Sequence, residues 1–231
     1  PTTGDRIRLG DTNLVALVER DYSSYGDEAV RGWGKTLRVG MMVAHRSPGD
    51  SDLDCIISNA TVFDPVLGIF KGNIGIKDGV ITGIGRAGNP DIMDDVDLVV
   101  GTNTDVIPAE GLIATPGGVD SHVHISHSPK LMWVALSAGL TTMIGAGLNT
   151  NGRFIIHKYF EAFEGIPVNL GLQAKGSATH RGPMVESLEA GACGFKIHED
   201  TGAYPYVVDA CLQVADEYDV SVALHTDGLH E

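Results

Sequence analysis

The sequence predicts an α/β protein in which a small β-rich domain precedes an incomplete (β/α)8 TIM-type barrel. Three observations support this fold. Residues 1–111 contain short β-branched runs with turn signals and lack a long amphipathic helix. Over residues 112–231, apolar strand-like runs alternate with helix-like segments at roughly 25–28 residues per unit, which is typical of parallel βα units. Several of these runs end in histidine or lysine, and the chemistry of such barrels collects at the carboxyl ends of the strands.

The strands of the first domain are predicted from β-branched runs and one turn signal. One run covers residues 55–63, and a second covers residues 72–85. The Asp-Gly pair at positions 78–79 lies inside the second run and is a strong signal for a hairpin turn. Residues 86–110 are acidic and irregular, although strand character resumes at residue 105. The first domain is therefore expected to be a small β domain or sandwich.

The second domain is predicted to contain the first five βα units of the barrel. Apolar runs predict its strands, and apolar residues at helical spacing predict the helices between them. Five strands alone would expose a barrel edge, so we expect the C-terminal part of the barrel to be absent from this chain. The predicted strands cover residues 112–119, 140–147, 167–174, 192–198 and 220–225, and the predicted helices cover 153–163, 182–190 and 204–218.

The composition excludes several classes of protein. A formal net charge of −14 over 231 residues argues against binding to nucleic acid or to an anionic membrane. No apolar run approaches the roughly 20 residues that span a bilayer, and the polar N-terminus lacks the apolar region of a signal peptide. The three cysteines contain no C-x-x-C pair and do not form a disulfide framework. We therefore expect a cytoplasmic protein.

The most informative motif is the His122-x-His124 pair, which follows an apolar run. Alternate residues of a strand face the same way, so the two imidazoles are expected to point to one place. Two such nitrogens form half of a divalent-metal site. Lys196 and His198 end the fourth predicted strand, and His225 ends the fifth. All of these side chains are expected at the same edge of the sheet.

Lys196 can join a metal site only after a chemical change. A protonated amine cannot bind a metal, but CO2 converts a neutral amine into a carbamate whose oxygens bridge two cations. Bridged cations lie roughly 3.5–4 Å apart and activate water while polarising a carbonyl group. An ordinary surface lysine is the alternative, although Gly194-Phe195 and Ile197 flank Lys196 as in a buried strand. Imidazole, carbamate and carboxylate ligands suit nickel, zinc or manganese.

With these motifs the chain resembles the alpha (catalytic) subunits of ureases, which are nickel enzymes of the amidohydrolase superfamily, over nearly its full length. Two stretches are highly specific, the segment 189–200 and the segment 214–227. Hydantoinases, dihydroorotases and allantoinases share the His-x-His motif but do not usually share these stretches. The matching stretches are residues 1–12, 25–28, 113–124, 141–145, 189–200 and 214–227.

The resemblance implies hydrolysis of urea to ammonia and carbamate or CO2 at two Ni2+ ions bridged by carbamylated Lys196. The His122-x-His124 pair would hold one nickel together with Lys196, and His225 would help to hold the other. His198 would donate a hydrogen bond to the carbonyl oxygen of urea. Asp200 would position a histidine of a mobile flap that is not in this chain. The implied metal ligands are His122, His124, Lys196 and His225.

The resemblance also implies partners: urease beta and gamma subunits in a hetero-oligomer, and accessory proteins that deliver nickel. Departures from the family leave alternatives open. The loop after Gly147 is shorter than in ureases by roughly ten residues, and long active-site loops usually carry function. Thr201 replaces a usual tryptophan, and the remaining nickel ligands and the flap are not in this chain, which is expected to be inactive alone. The alternatives are a urease-like amidohydrolase for another amide, or an inactive homologue within a subunit assembly.

Overall fold

The computed structural model describes residues 1–24, 26, 42–45, 52–124, 128–146 and 151–226. The chain divides into two compact units, Pro1–Pro116 and Gly117–Glu231. The sequence predicted a boundary between residues 111 and 112. The observed break falls later because a short strand just after that boundary pairs within the first unit. Among the described helices, none has the length and apolar character that crossing a membrane requires.

The first unit is built on a six-stranded mixed sheet with the central order β10-β4-β5-β3. β6 pairs with β5, and β9 pairs with β4. β1 and β2 form an antiparallel pair, and β7 and β8 form a short parallel pair. The strands are β1 (Arg6–Arg8), β2 (Val15–Leu17), β3 (Arg20–Asp21), β4 (Cys55–Asp64), β5 (Gly68–Lys77), β6 (Val80–Gly85), β7 (Ala87–Gly88), β8 (Leu98–Val99), β9 (Asp105–Pro108) and β10 (Ile113–Ala114).

The predicted hairpin turn joins β5 to β6. Asp78 and Gly79 have φ angles of 51° and 75°, which places both central residues in the left-handed region. A two-residue turn with positive φ at both positions matches the right-handed twist of the flanking strands. Asp54 supports the turn, because its Oδ2 accepts a hydrogen bond of 2.6 Å from the backbone N–H of Asp78. The hairpin prediction is confirmed.

The second unit is a curled parallel sheet in which strand order follows chain order, β11-β12-β13-β14-β15. Helices connect the strands, as in successive βα units of a TIM-type barrel. The strands are β11 (Gly118–Val123), β12 (Leu140–Gly145), β13 (Asn169–Lys175), β14 (Gly194–His198) and β15 (Ser221–His225). The helices are α1 (Lys130–Ser137), α2 (Arg153–Phe163), α3 (Arg181–Glu189) and α4 (Pro205–Tyr218), with a short 3-10 helix at Glu199–Thr201.

The core of the second unit lies between one face of the sheet and the helices. Alternate residues of the strands enter this core, so the opposite alternate residues face the inside of the curled sheet. On β14, Phe195 and Ile197 are fully buried in the core, whereas Lys196 and His198 take the opposite face. The helices contribute Met132, Ile156, Met184 and Cys211, each fully buried.

The prediction of one strand over residues 112–119 is wrong. Ile113–Ala114 forms β10 and pairs with β4 of the first unit, and β11 begins only at Gly118. Pro116 lies between them, and proline has no N–H to donate to a ladder, so it separates the two strands. Helix α1 was not predicted. The other strands and helices of this unit are confirmed with ends shifted by one or two residues, apart from residue 147, which lies outside the described residues.

Candidate metal centre

The structure places the chemically important side chains at the carboxyl ends of three parallel strands. His122 lies in β11 and His124 directly follows it. Lys196 and His198 belong to β14, and His225 is the last residue of β15. The register pairs His198 with His225 across the two strands. The five residues therefore share the edge of the sheet where chemistry is located in barrels of this type.

The imidazoles of His122 and His124 converge on one point. Their Nε2 atoms lie 3.3 Å apart, and the ring planes are inclined at 66°. Two nitrogens bound at 2.0–2.1 Å to one cation with angles of about 90–110° are separated by about 2.8–3.4 Å. The observed spacing fits two ligands of one ion as well as it fits a hydrogen bond between the rings.

The environment of His122 favours the neutral imidazole that a metal needs. Burial lowers the pKa of His122, and the nearby Lys196 and His124 lower it further. Gln173 and Asp120 act in the opposite direction. The effect of Lys196 on the pKa of His122 shows that these two residues, which lie on different strands, share one electrostatic environment. The structure thus brings together the ligands expected for the first metal.

Lys196 is buried, with 7% of its surface exposed. Burial lowers the pKa of its amine, and the carboxylate of Glu199 opposes this effect. A lowered pKa increases the fraction of neutral amine, which is the form that attacks CO2. The alternative of an ordinary surface lysine does not agree with this burial. The donor set therefore fits a carbamate-bridged pair of cations.

His198 and His225 form a second cluster beside Lys196. Their rings are stacked, with centroids 4.0 Å apart and planes inclined at 19°. His198 Nδ1 lies 2.6 Å from Asp200 Oδ1 and 3.3 Å from Glu199 Oε2. Neither approach has hydrogen-bond geometry, since no partner among the described residues satisfies His198 Nδ1. His225 Nε2 lies 3.9 Å from Glu199 Oε1.

Sequence reasoning missed two residues of this region, Glu199 and Gln173. Ligand atoms of His198, Glu199 and His225 lie within 4.8 Å of one another, close enough to surround an ion. Gln173 on β13 is only 4% exposed, yet its side chain interacts with His122 on β11. A glutamine inside a strand predicted to be buried was a usable signal. For Glu199, its position between His198 and Asp200 was the signal.

The two departures noted in the sequence have different outcomes. The shortened loop after Gly147 lies outside the described residues. Thr201 is exposed, and its Oγ1 donates a hydrogen bond of 3.0 Å to the backbone carbonyl of His198. The threonine therefore closes the 3-10 helix that carries Glu199 and Asp200.

Comparison with known families agrees with this architecture. Residues 113–231 match the sequence model of the amidohydrolase family, and the chain belongs to this family. Residues 1–107 match the model described as urease alpha-subunit, N-terminal domain.

Curated relatives are similar over the whole chain. The urease subunit alpha of Haloquadratum walsbyi is 53% identical over 239 residues, and that of Haloarcula marismortui is 51% identical over 238 residues. The urease subunit alpha of Staphylococcus aureus is 49% identical over 243 residues. Each match covers 100% of this chain but only 42% of the relative, so the chain spans less than half the length of these proteins. Among solved structures, an adenine deaminase matches with a TM-score of 0.50 and 19% identity over 78% of this chain and 52% of the deaminase, which is a likeness of fold.

Proposed function

We propose that the complete gene product hydrolyses urea to ammonia and carbamate at two nickel ions bridged by carbamylated Lys196. One observation carries the proposal: a buried lysine with a lowered pKa shares its environment with two histidines whose Nε2 atoms lie 3.3 Å apart. The similarity to urease alpha subunits supports urea as the substrate and nickel as the metal.

In this proposal, His122 and His124 would hold one ion, His225 would help to hold the other, and Lys196 would contribute to both. When bound, the two cations polarise the carbonyl group of the substrate and supply an activated water. Lys196 can react with CO2 because burial keeps a larger fraction of its amine neutral. The neutral state of His122, favoured by burial and by Lys196, leaves a ring nitrogen available as a ligand.

His198 is proposed to orient the substrate. Its Nδ1 faces Asp200 and Glu199, so the Nε2 edge of the ring is left for the carbonyl oxygen of urea. A hydrogen bond donated to that oxygen strengthens as negative charge develops on it during attack at the carbon. Asp200 is 66% exposed at its side chain and is available to a further residue, such as a histidine of a flap.

The protein is proposed to act in the cytoplasm within a hetero-oligomer that contains urease beta and gamma subunits. Accessory proteins are proposed to deliver the nickel. The proposals on subunits and nickel delivery rest on the similarity to urease alpha subunits over the whole chain, and the cytoplasmic setting rests on the cysteine usage.

A related amide is the second candidate substrate. The match to the Haloquadratum walsbyi protein spans 239 positions, so that relative contains residues with no counterpart among the 231 of this chain. The loop after Gly147, expected from the sequence to be shorter than in ureases, and the small exposed side chain of Thr201 are the grounds for this candidate.

Ammonia release tests both candidates. The complete gene product is co-produced with its neighbouring subunits and accessory proteins, with and without nickel. We expect nickel-dependent ammonia release from urea and a loss of at least 100-fold in His198→Asn, because a hydrogen bond to developing charge is removed. His157→Asn, on the exposed face of α2, is the control and should match the wild type. If the wild type binds two metal ions but releases no ammonia from urea, another amide becomes the proposed substrate.

A further inference from the structure

Glu199 lies between two imidazoles that have different proposed roles. It is the first residue of the 3-10 helix Glu199–Thr201, directly after β14. One carboxylate oxygen lies 3.3 Å from His198 Nδ1, and the other lies 3.9 Å from His225 Nε2. The two rings are stacked at 4.0 Å, so a single carboxylate faces the edges of both.

The two neighbouring carboxylates are not equivalent. Asp200 approaches His198 Nδ1 more closely, at 2.6 Å, and its side chain is 66% exposed. The side chain of Glu199 is 26% exposed, and its Oε2 is buried without a hydrogen-bond partner among the described residues. Water can satisfy Asp200, whereas a buried carboxylate oxygen without a donor is costly. This orphaned Oε2 faces His198, whereas Oε1, the other oxygen of the same carboxylate, faces His225.

A single N–H on His198 Nδ1 cannot donate to both carboxylates along good hydrogen-bond directions. Asp200 lies closer to this group than Glu199 does, at 2.6 Å against 3.3 Å, although neither approach has hydrogen-bond geometry in this structure. Lys196 also interacts with this carboxylate, but as the proposed carbamate it carries no ammonium group to donate. The ring of His225 then remains as the donor that faces Glu199 Oε1. In metal sites, a histidine ligand usually donates its second ring N–H to a carboxylate or carbonyl, which fixes the tautomer and the ring orientation.

We propose that Glu199 is a positioning residue that accepts a hydrogen bond from Nε2–H of His225 and so presents Nδ1 of His225 to the metal. This inference rests on the proposed function, in which His225 is a metal ligand. A neutral imidazole carries one N–H, so a proton held at Nε2 leaves the lone pair at Nδ1. The distance of 3.9 Å between His225 Nε2 and Glu199 Oε1 must shorten by about 1 Å for this hydrogen bond to form when metal is bound.

The test measures metal binding in the complete gene product, assembled with its subunits and accessory proteins. Three variants are compared with the wild type: Glu199→Leu removes the acceptor, Glu199→Gln keeps an oxygen acceptor, and Asp200→Asn changes the neighbouring carboxylate. Nickel content is measured after equilibration against a chelator, and X-ray absorption counts the imidazole ligands per nickel. Far-UV circular dichroism of each metal-free variant confirms that it is folded.

We expect Glu199→Leu to weaken the binding of one of the two nickel ions by about 10–100-fold, which is the usual effect of removing the hydrogen-bond partner of a metal-bound histidine. Its nickel content should fall from two ions toward one, with fewer imidazole ligands. Glu199→Gln should stay within a few-fold of the wild type, and Asp200→Asn should retain both ions. Wild-type nickel affinity in Glu199→Leu would overturn the proposal. Equal losses in Glu199→Gln and Glu199→Leu would also overturn it, because they indicate that the carboxylate itself binds the metal.

The readout separates this inference from the proposed function. If the wild type binds two ions but does not release ammonia from urea, the proposed substrate is wrong and the nickel measurements still decide the role of Glu199. If the wild type binds no metal, both proposals are overturned.

Discussion

Replacing Lys196 by methionine separates the effect of this residue on the free energy of unfolding from its proposed role in metal binding. Lys196 is 7% exposed, and burial lowers the pKa of its amine, so the folded chain disfavours the ammonium form. Methionine is unbranched, fills similar space and needs no strong hydrogen bond. We expect Lys196→Met to raise the free energy of unfolding of the metal-free protein and to abolish binding of both metal ions.

The size of the stability gain follows from the surroundings of the amine. A buried polar group that lacks full hydrogen bonding costs about 1–3 kcal/mol. Glu199 compensates part of this cost, because its carboxylate favours the ammonium form of Lys196. We therefore expect a gain near the lower limit, about 1 kcal/mol. That gain corresponds to a rise in Tm of about 2–4 °C for a domain of 150–250 residues.

The assay is unfolding in guanidinium chloride, since urea is the proposed substrate, in CO2-depleted buffer and followed by circular dichroism. The matched control is Lys158→Met on α2, where the lysine is 54% exposed and pairs with Glu161 at 2.7 Å. This control should change the free energy of unfolding by less than about 0.5 kcal/mol. A Lys196→Met protein that is less stable than the wild type, or that still binds two metal ions, would refute the reasoning.

Three further predictions concern the packing and charges of the second unit. Phe195→Ala should lower the free energy of unfolding by about 3–5 kcal/mol because Phe195 is fully buried. The control Phe154→Ala, at a site that is 72% exposed, should change the free energy of unfolding little. Equal guanidinium unfolding midpoints for the two variants would contradict the described core. Burial raises the pKa of Cys211 to about 11, so at about pH 8 only about one thiol in a thousand is ionised. Mass spectrometry after treatment with iodoacetamide should find Cys211 labelled only in unfolded protein, and rapid labelling of the folded chain would show that this thiol is accessible. The Arg181 guanidinium holds the pKa of Glu217 below its ordinary value through hydrogen bonds of 2.7 and 2.9 Å. The resulting stabilisation should be present above the unfolded-state pKa of Glu217 and be lost as pH falls through its lowered folded-state pKa. The guanidinium unfolding midpoints of wild type and Arg181→Gln should therefore converge in acid. A difference between these midpoints that widens in acid would contradict this pH dependence.

The sequence predicted most of the second unit because its signals are local. Helix α2 matches the predicted range 153–163, and the strands β12 to β15 appear where apolar runs occur. The break between β10 and β11 was missed because the apolar run from residue 112 continues across Pro116. The residues on either side of the proline pair with different sheets, and the pairing partner of a strand is not encoded in its own pattern.

The metal-site candidates show the same division between local and long-range information. His122, His124, Lys196 and His198 could be chosen from alternation along single strands, because side chains two residues apart share a face. Gln173 could not be chosen in this way, since its interaction with His122 joins β13 to β11 across an intervening strand.

The βα repeat, the paired histidines and the buried lysine could be predicted from local patterns, because strand alternation and apolar periodicity act over a few residues. Which side chains meet depends on the three-dimensional packing. The parallel register between β14 and β15 stacks His198 on His225, and the 3-10 helix after β14 turns Glu199 toward both rings. Register and loop conformation depend on the packing of distant segments, and these contacts give the site its geometry.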